Sequence, residues 1–311
     1  MPFFSVITPL YNKEDYIEAT IKSVLNQTFD DFEIVIVDDG STDNSLKILS
    51  QIKSSKINIL VQENQGPSVA RNKAIANAKG KYIAPLDADD IWREDHLVEL
   101  KSLIDSFPNA GVFCNNYKVK LNKNLTRNAH FNFDFATSHL IIPDFFDANI
   151  YNYIASSSST AFLKSSFIEL GGYNTSLRTG QDLDLWIRFA LKYEIAFNPK
   201  ATMIYNNYDD LSLSKSELNE TRYNFISSYK KEEEKNPSLK KYLDVNRFAL
   251  VLRCKMNNEN ELYKKVQTEI NYKNLNLKQK ILINSPKFIL HFLKKIQRVL
   301  IKNKMYLTAY N

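Results

Sequence analysis

The 311-residue sequence has two cysteines, Cys114 and Cys254, set too far apart to form a CxxC pair. A thiol redox centre and a cysteine-built zinc site are thereby excluded, and a reducing compartment is the expectation. The four histidines, His96, His130, His139 and His291, have no ligand spacing, which leaves no histidine metal site either. No glycine-rich G-x-G-x-x-G follows the first strand-like run: the residues there are Thr8-Pro9-Leu10-Tyr11-Asn12, so dinucleotide-dependent oxidoreduction is excluded. No uncharged apolar run reaches the roughly 18 residues of a membrane span, and Met1 to Ser5 lack the basic and apolar regions of a secretion signal. A cytosolic protein is expected. From Asn271 to the last residue there is no Asp or Glu at all.

Ordinary globular usage accompanies these absences, with 44% hydrophobic and 24% charged residues, and the length suits one large α/β unit with an appendage. The net charge of +6 conceals a split. Residues 1–210 carry 20 basic and 26 acidic side chains, whereas 211–311 carry 21 and 9. Opposite signs in the two parts imply separate jobs.

The first hundred residues alternate β-rich apolar runs with helical spacing. Strands are expected at 3–8, 32–37, 57–61 and 81–86, and helices after Lys13, over 44–52 and from Gly66-Pro67-Ser68 to Ala78. Ser41 or Thr42 is expected to cap the second helix. A fifth strand is expected near 111–120, a loop-rich aromatic excursion over 121–152, a strand at 160–163, a helix at 183–191 with a core stripe of Leu183, Trp186, Ile187 and Ala190, and closing strands at 195–197 and 203–205. The remainder reads as helices at 214–234, 239–256, 259–270 and 285–304. Alternating strands and helices make a mainly parallel sheet, and ligands of such sheets bind outside the strands' C-terminal ends.

The loops at that edge hold Asp38 and Asp39 after the second strand and Asp87-Ala88-Asp89-Asp90 after the fourth. Like charges near 4 Å cost about 4 kcal/mol at an effective dielectric of 20, so cations must sit among these carboxylates. Arg71, at the start of the third helix, is one. A divalent ion is the natural second, and an all-oxygen donor set selects Mg²⁺ or Mn²⁺. An ion held by one or two carboxylates keeps positions open for substrate phosphates, which points to a diphosphate. Asp38 is equally a turn residue and Asp90 equally a cap for residues near Ile91; the competing reading of Asp182 is a favourable charge in a helix's first turn, and Asp184 reads as solvated. Ser156 to Ser159 read as a polar loop. The aromatic excursion is either packing or a platform for sugar rings.

Six segments, in order, resemble the inverting family 2 glycosyltransferases of the GT-A fold: Ser5 to Lys13, Ser23 to Thr28, Val37 to Asp43, Asn64 to Asn72, Leu86 to Asp90, and Gly171-Gly172-Tyr173 with Gly180 to Trp186. The resemblance covers residues 3 to about 205. It implies a Rossmann-like, mixed but mainly parallel sheet flanked by helices over 1–210, followed by a basic helical region over 211–311. It implies donor contacts from Thr8, Pro9, Tyr11, Asp39, Arg71, Asp87 and Asp89: Asp39 on the uracil N3–H, Thr8 and Pro9 shaping the base and ribose pocket, Asp87 and Asp89 on ribose and metal, with Asp89 the direct ligand of Mn²⁺ or Mg²⁺. Asp182 would be the general base. Gln181 stands where the family often has Glu, which puts that Glu's part in acceptor binding or base tuning in doubt.

A processive synthase would add membrane spans and a QxxRW motif, and both are missing. The implied activity is non-processive, metal-dependent transfer from a nucleotide-sugar, a UDP-sugar first, to a glycan or lipid-linked acceptor in surface polysaccharide or lipopolysaccharide assembly. The competing reading is an inactive nucleotide-sugar-binding or membrane-docking protein. In the tail, Ser285-Pro286 is expected to open a helix whose Phe288, Ile289, Phe292, Leu293, Ile296, Val299 and Leu300 oppose Lys287, Lys294, Lys295, Arg298 and Lys302. Such a helix suits an anionic membrane surface, the cytoplasmic face of the plasma membrane, or else packs on the protein itself. No nucleic-acid motif accompanies the charge.

Overall fold

The computed structural model describes residues 1–122, 124–206, 218–304 and 308–309. Its amino-terminal half opens with β1 (Phe4–Leu10), α1 (Ile17–Leu25), β2 (Phe32–Asp38), α2 (Ser45–Gln51), β3 (Ile57–Val61), α3 (Pro67–Asn77) and β4 (Tyr82–Pro85). There follow β5 (Ile91–Trp92), α4 (His96–Ser106), β6 (Val112–Asn122), β7 (Leu125–Asn128), β8 (Leu140–Ile141), α5 (Phe145–Ala148), β9 (Thr160–Leu163), α6 (Lys164–Glu169), α7 (Gln181–Ala190) and β10 (Ile195–Asn206). All belong to one sheet of order β3-β2-β1-β4-β9-β6-β10-β5, with β7 on β6 and β8 on β10. β1 to β4 are parallel, as are β6 and β10. β9 runs antiparallel between β4 and β6, so β6 points the same way as β1.

The inner parallel strands β1, β2 and β4 are buried on both faces, as their apolar runs require, and Ile34 to Val37 are wholly enclosed, whereas β3 at the sheet edge is partly exposed. Gly80, expected only to stop α3, has a second reason to be glycine. A Cβ there would meet the Ser5 amide and hydroxyl at 2.6 Å, where α3 returns the chain against β1. The two closing strands expected near 195–205 are one strand, β10, whose register on β6 slips between Asn198 and Met203. Pro199 lies in that slip, and having no N–H to donate, it is tolerated where the ladder is interrupted.

Neither Ser41 nor Thr42 caps α2. Ser41 Oγ accepts from Asn12 N and Thr42 N donates to Asn12 Oδ1, lacing the loops after β1 and β2 together. Asp43 Oδ1 takes the Ser45 amide instead, and Glu14 takes that of Asn44. Gln27 is a second clamp. Its amide donates to Ser23 O and Arg93 O and accepts from Leu97 N, pinning the end of α1 to the start of α4.

Helices continue the chain as α8 (Asn219–Ser227), α9 (Lys230–Glu233), α10 (Pro237–Asn257), α11 (Asn260–Thr268), α12 (Leu277–Asn284) and α13 (Lys287–Lys302). The first part of the helix expected at 214–234, like the boundary at 210, lies outside the described residues. α12 was legible only as a capping box, Asn276 with Gln279. Ser285 closes α12 by donating to Ile281 O rather than capping α13. A second core gathers Leu239, Tyr242, Leu243, Phe248 and Val251 of α10, and it includes Phe146 of α5, Leu177 from the turn before α7, and Ile187 of α7.

His96 shows how tightly the sheet end is built. It is fully enclosed, stacks on Trp92 at 4.2 Å and shares a 2.7 Å hydrogen bond with Thr202 Oγ1. Burial drives its pKa down to about 3. In the unfolded chain it titrates near 6.5, so the unfolded state takes up a proton that the folded state refuses as pH falls from about 6.5 toward 3. At pH 5 this removes about 2 kcal/mol of stability. Asp90 and Asp182, with raised carboxyls, act with the opposite sign. The measurement is therefore a difference: the urea midpoint of the protein should fall between pH 7.5 and 5 by more than that of His96→Gln.

Candidate active site

β1, β2 and β4 all end at one edge of the sheet, and their loops build the site there. Two clusters result. In the first, Asp39 is buried behind the end of β2 and ordered by the loop after β3: its Oδ1 accepts from Gln62 Nε2 and Gln65 N, and its Oδ2 from Gly66 N. Gly66, at φ 90°, starts α3, so the same contacts fix the helix that carries Arg71. Asp38 accepts from Ser41 N, an Asx-type turn within its own loop, and does not reach the start of α2. Thr8 is enclosed with its Oγ1 unpartnered, Pro9 is partly buried, and Tyr11 is exposed.

The second cluster centres on Arg71, which is buried under Tyr173 with its guanidinium 5.4 Å from the ring. Nη2 donates to Asp87 Oδ1 at 2.6 Å, and Nη1 lies 3.4 Å from Asp182 Oδ1 without hydrogen-bond geometry. Although burial works against its charge, the carboxylates of Asp182 and Asp87 hold Arg71 firmly protonated. Lys13 Nζ reaches Asp89 Oδ2 at 2.8 Å. Of the residues expected at the site, Arg71, Asp87 and Asp182 therefore converge directly, Asp89 joins them along its loop, and Thr8, Pro9, Tyr11 and Asp39 line the neighbouring loops.

Asp182 sits in the first turn of α7, where the helix dipole favours a negative charge. Its side chain is 31% exposed, yet Oδ1 is closed off from solvent with no hydrogen-bond partner. Burial raises its carboxyl above the ordinary range, Arg71 pulls the other way, and Asp87 adds to the rise. Gln181 beside it is buried with Oε1 unpartnered.

Several site residues were read differently from the sequence. Asp90 caps no helix. It is buried, accepts from Asn206 N, and has its carboxyl raised far by burial and by Asp89 and Asp87. Ser157 to Ser159 are not a solvated loop but a buried turn beneath the aspartates: Ser158 Oγ accepts from Asp87 N and Ser158 O accepts from Trp92 Nε1 at 2.6 Å. Asp184 is not solvated either, being 6% exposed. Its Oδ2 accepts from Arg188 Nε and Nη2, Arg188 also donates to Leu170 O and Gly172 O, and Tyr229 Oη, from the helical region, donates to Asp184 Oδ1 at 2.6 Å. The spacing of Asp184 and Arg188, four apart on one helix, was the available signal. The aromatic excursion packs: Phe131, Phe133 and Phe135 cluster against Phe197 of β10.

A divalent cation fits this arrangement. Among the described residues, Arg71 lies against Asp87 and Asp182, and Lys13 pairs with Asp89, so three carboxylates meet two cations. Burial pushes the Tyr205 hydroxyl up, and the charges of Asp90, Asp87, Asp89 and Asp182 push it the same way. Among the described residues no three such side chains form a closed metal cage, and the donors present are all hard oxygens, the kind that leave positions for phosphate oxygens.

A family model described as glycosyl transferase family 2 matches residues 5–171. Over 99 residues, 31% of this chain and 39% of the relative, the sequence is 50% identical to the putative teichuronic acid biosynthesis glycosyltransferase TuaG of Bacillus subtilis. Over 117 residues, 35% of this chain and 46% of the relative, it is 41% identical to WfaP of Escherichia coli, a UDP-Glc:α-D-GlcNAc-diphosphoundecaprenol β-1,3-glucosyltransferase. Each matched stretch thus spans less than half of the curated relative. The structure of Staphylococcus aureus TarS residues 1–349 superposes with a TM-score of 0.64 over 94% of this chain and 92% of that one, at 19% identity, as does its complex with UDP-GlcNAc. At that identity the likeness speaks for the fold, and the GT-A arrangement expected from the sequence is the one the chain adopts. The strand ends, the acidic loop and Arg71 all fall inside the matched segment, while Asp182 lies eleven residues beyond it; with more than half of its residues under the match, the chain belongs to glycosyl transferase family 2.

Proposed function

We propose that residues 1–210 form a non-processive, inverting, metal-dependent sugar transferase, with 211–311 a helical region attached to it. The observation that carries this reading is the Arg71-centred cluster, in which Asp182 stands with a raised carboxyl across one guanidinium from the acidic loop of Asp87 and Asp89. The donor is a nucleotide-sugar, a UDP-sugar first. The UDP-GlcNAc bound in the TarS complex and the UDP-Glc donor in WfaP's name support that choice. Asp39, Thr8, Pro9 and Tyr11 would receive base and ribose, and Arg71 and Asp87 the ribose and diphosphate.

Asp89, with Asp87 beside it, would hold Mn²⁺ or Mg²⁺, and the ion when bound would stabilise the charge of the departing diphosphate. The work of the chain's own groups is to orient the donor and to move one proton. Asp182 takes it from the acceptor hydroxyl as that oxygen attacks the anomeric carbon from the face opposite the leaving diphosphate, which inverts the centre. A carboxyl lifted by burial is a stronger base than a solvated one, which suits removal of a proton from an alcohol. The acceptor is a glycan or lipid-linked saccharide of bacterial surface polymer assembly, and the chain would meet it at the cytoplasmic membrane surface as a peripheral protein.

A thermal-shift panel of UDP-, GDP- and dTDP-sugars, each with and without Mn²⁺, tests the donor side. A shift for one UDP-sugar that requires Mn²⁺ is expected. The same shift with no hydrolysis or transfer to any acceptor would favour the inactive binding protein, and no shift with any sugar nucleotide would remove the reading.

A further inference from the structure

α13 presents large apolar side chains to solvent. Phe288 is 70% exposed and Phe292 61%, with Leu293, Ile296 and Val299 exposed along the same stretch, and only Leu290 of the helix is buried. Leu277 and Ile281 of α12 continue the exposure. Lys280, Lys294, Lys295, Arg298 and Lys302 supply cations along the same two helices, and the sequence from Asn271 onward contains no Asp or Glu. Packing onto the protein itself, the alternative left open by the sequence, takes Leu290 and part of Ile289 and Leu300, and leaves Phe288, Phe292 and Val299 to solvent.

The place of this face on the molecule is fixed by contacts. Val112 of β6 lies level with Ile83 of β4 through their shared neighbour Phe162, but β4 ends at Pro85 while β6 runs to Asn122. At about 3.3 Å per residue, β6 projects roughly 25 Å past the strand end that carries the acidic loop. The last residue of β6 holds α13: Asn122 Nδ2 donates to Ile301 O in the helix's final turn. Lys287, in its first turn, donates to Asn258, where α10 ends. The helix is thus tied at both ends, with its C-terminal turn at the donor-site end of the sheet.

We propose that α12 and α13 are a built-in docking face for an anionic lipid surface, and that docking turns the donor-site end of the sheet toward the bilayer. A second copy of the chain is the less suitable occupant, since pairing these faces would set two acid-free, lysine-rich segments together. A lipid surface takes the phenylalanines into its headgroup boundary and the lysines onto its anionic charge. This deepens the reading of a lipid-linked acceptor, because substrate and enzyme would then share one surface. It rests on that reading only for its purpose, and the docking itself is tested without donor or acceptor.

Co-sedimentation of the full chain with phosphatidylglycerol–phosphatidylcholine vesicles and with pure phosphatidylcholine vesicles measures the partition. At least tenfold stronger binding to the anionic vesicles is expected, weakening with added salt. Phe288→Ser with Phe292→Ser should lower it at least tenfold with unchanged circular dichroism, since both side chains already face water. Binding unaffected by the two serines, or equal on both vesicles, overturns the proposal. A dimer in sedimentation velocity that the same serines abolish, with no vesicle binding, assigns the face to a second copy. Both native cysteines are buried, so a label can be placed at Thr126→Cys in β7 or, at the opposite sheet edge, at Lys79→Cys. Quenching by spin-labelled lipid is expected at 126 and not at 79; the reverse leaves docking standing and overturns the orientation.

Discussion

Asp182→Asn is expected to leave donor and Mn²⁺ binding within about threefold of the original while transfer falls by about a thousandfold, the size of a lost general base. The substitution keeps volume and polarity in the first turn of α7 and removes the capacity to accept a proton together with the negative charge facing Arg71. Asp182 Oδ1 has no hydrogen-bond partner, and its contact with Arg71 lacks hydrogen-bond geometry, so little structural bonding is lost. The pH profile supplies a second reading. Burial raises the carboxyl, so transfer should rise with pH through a midpoint above the ordinary carboxylate range, and that limb should vanish in the variant. Single-turnover rates across pH, beside donor affinity by calorimetry, are the measurements. An active variant with the limb intact moves the base to another residue, and Asp87, which shares Arg71 with Asp182, is the first candidate to inherit it.

Asp89→Asn is the second large effect, and it differs in kind. Stabilisation of a leaving diphosphate by a bound metal contributes several kcal/mol, so its loss should lower kcat/KM by about a thousandfold. Here the binding step fails first: Mn²⁺ affinity, followed by electron paramagnetic resonance with UDP present, should drop at least tenfold, and the Mn²⁺-dependent part of the thermal shift should disappear. The ion pair that Asp89 makes with Lys13 is partly solvated and contributes about 1 kcal/mol or less, so its loss should cost little stability. Unchanged Mn²⁺ affinity would take the metal away from Asp89.

The front of the molecule was legible because each of its elements declares itself locally. β3 begins and ends where its apolar run does, at Ile57 and Val61, and Pro67 after Gly66 opens α3 as expected. The meeting of Arg71 with Asp87 could be anticipated because a parallel sheet sends all its strand ends to one edge, whereas Asp182, on α7, was expected at the site only from the family resemblance. What escaped the sequence depends on partners distant along the chain. Asp184 looks like one more helix-surface acid until Tyr229, 45 residues later, comes down on it. Ser158 looks like loop until Asp87 and Trp92, some 70 residues earlier, bond to it. Asp90 is buried because β10 closes over it at Asn206. Periodicity carries no information about such closures. α12 was missed for a different reason: at eight residues it is too short to establish a period, and only its capping residues mark it.

The start of α7 has one further property. Gly180, which begins the helix at φ 79°, faces Phe225 of α8 so closely that an added Cβ would lie 3.3 Å from the ring, and Tyr229 grips Asp184 one turn later. The segment bearing Asp182 is therefore braced from outside the sheet, by residues far beyond the stretch that the family model covers. Exchanging catalytic halves between relatives would separate the two surfaces of this brace. A hybrid that keeps every strand and every acidic loop but takes its later helices from elsewhere loses the contacts that hold the segment of Asp182, the proposed base. Acceptor chemistry and the later helices would thus change together in descent, as one inherited block.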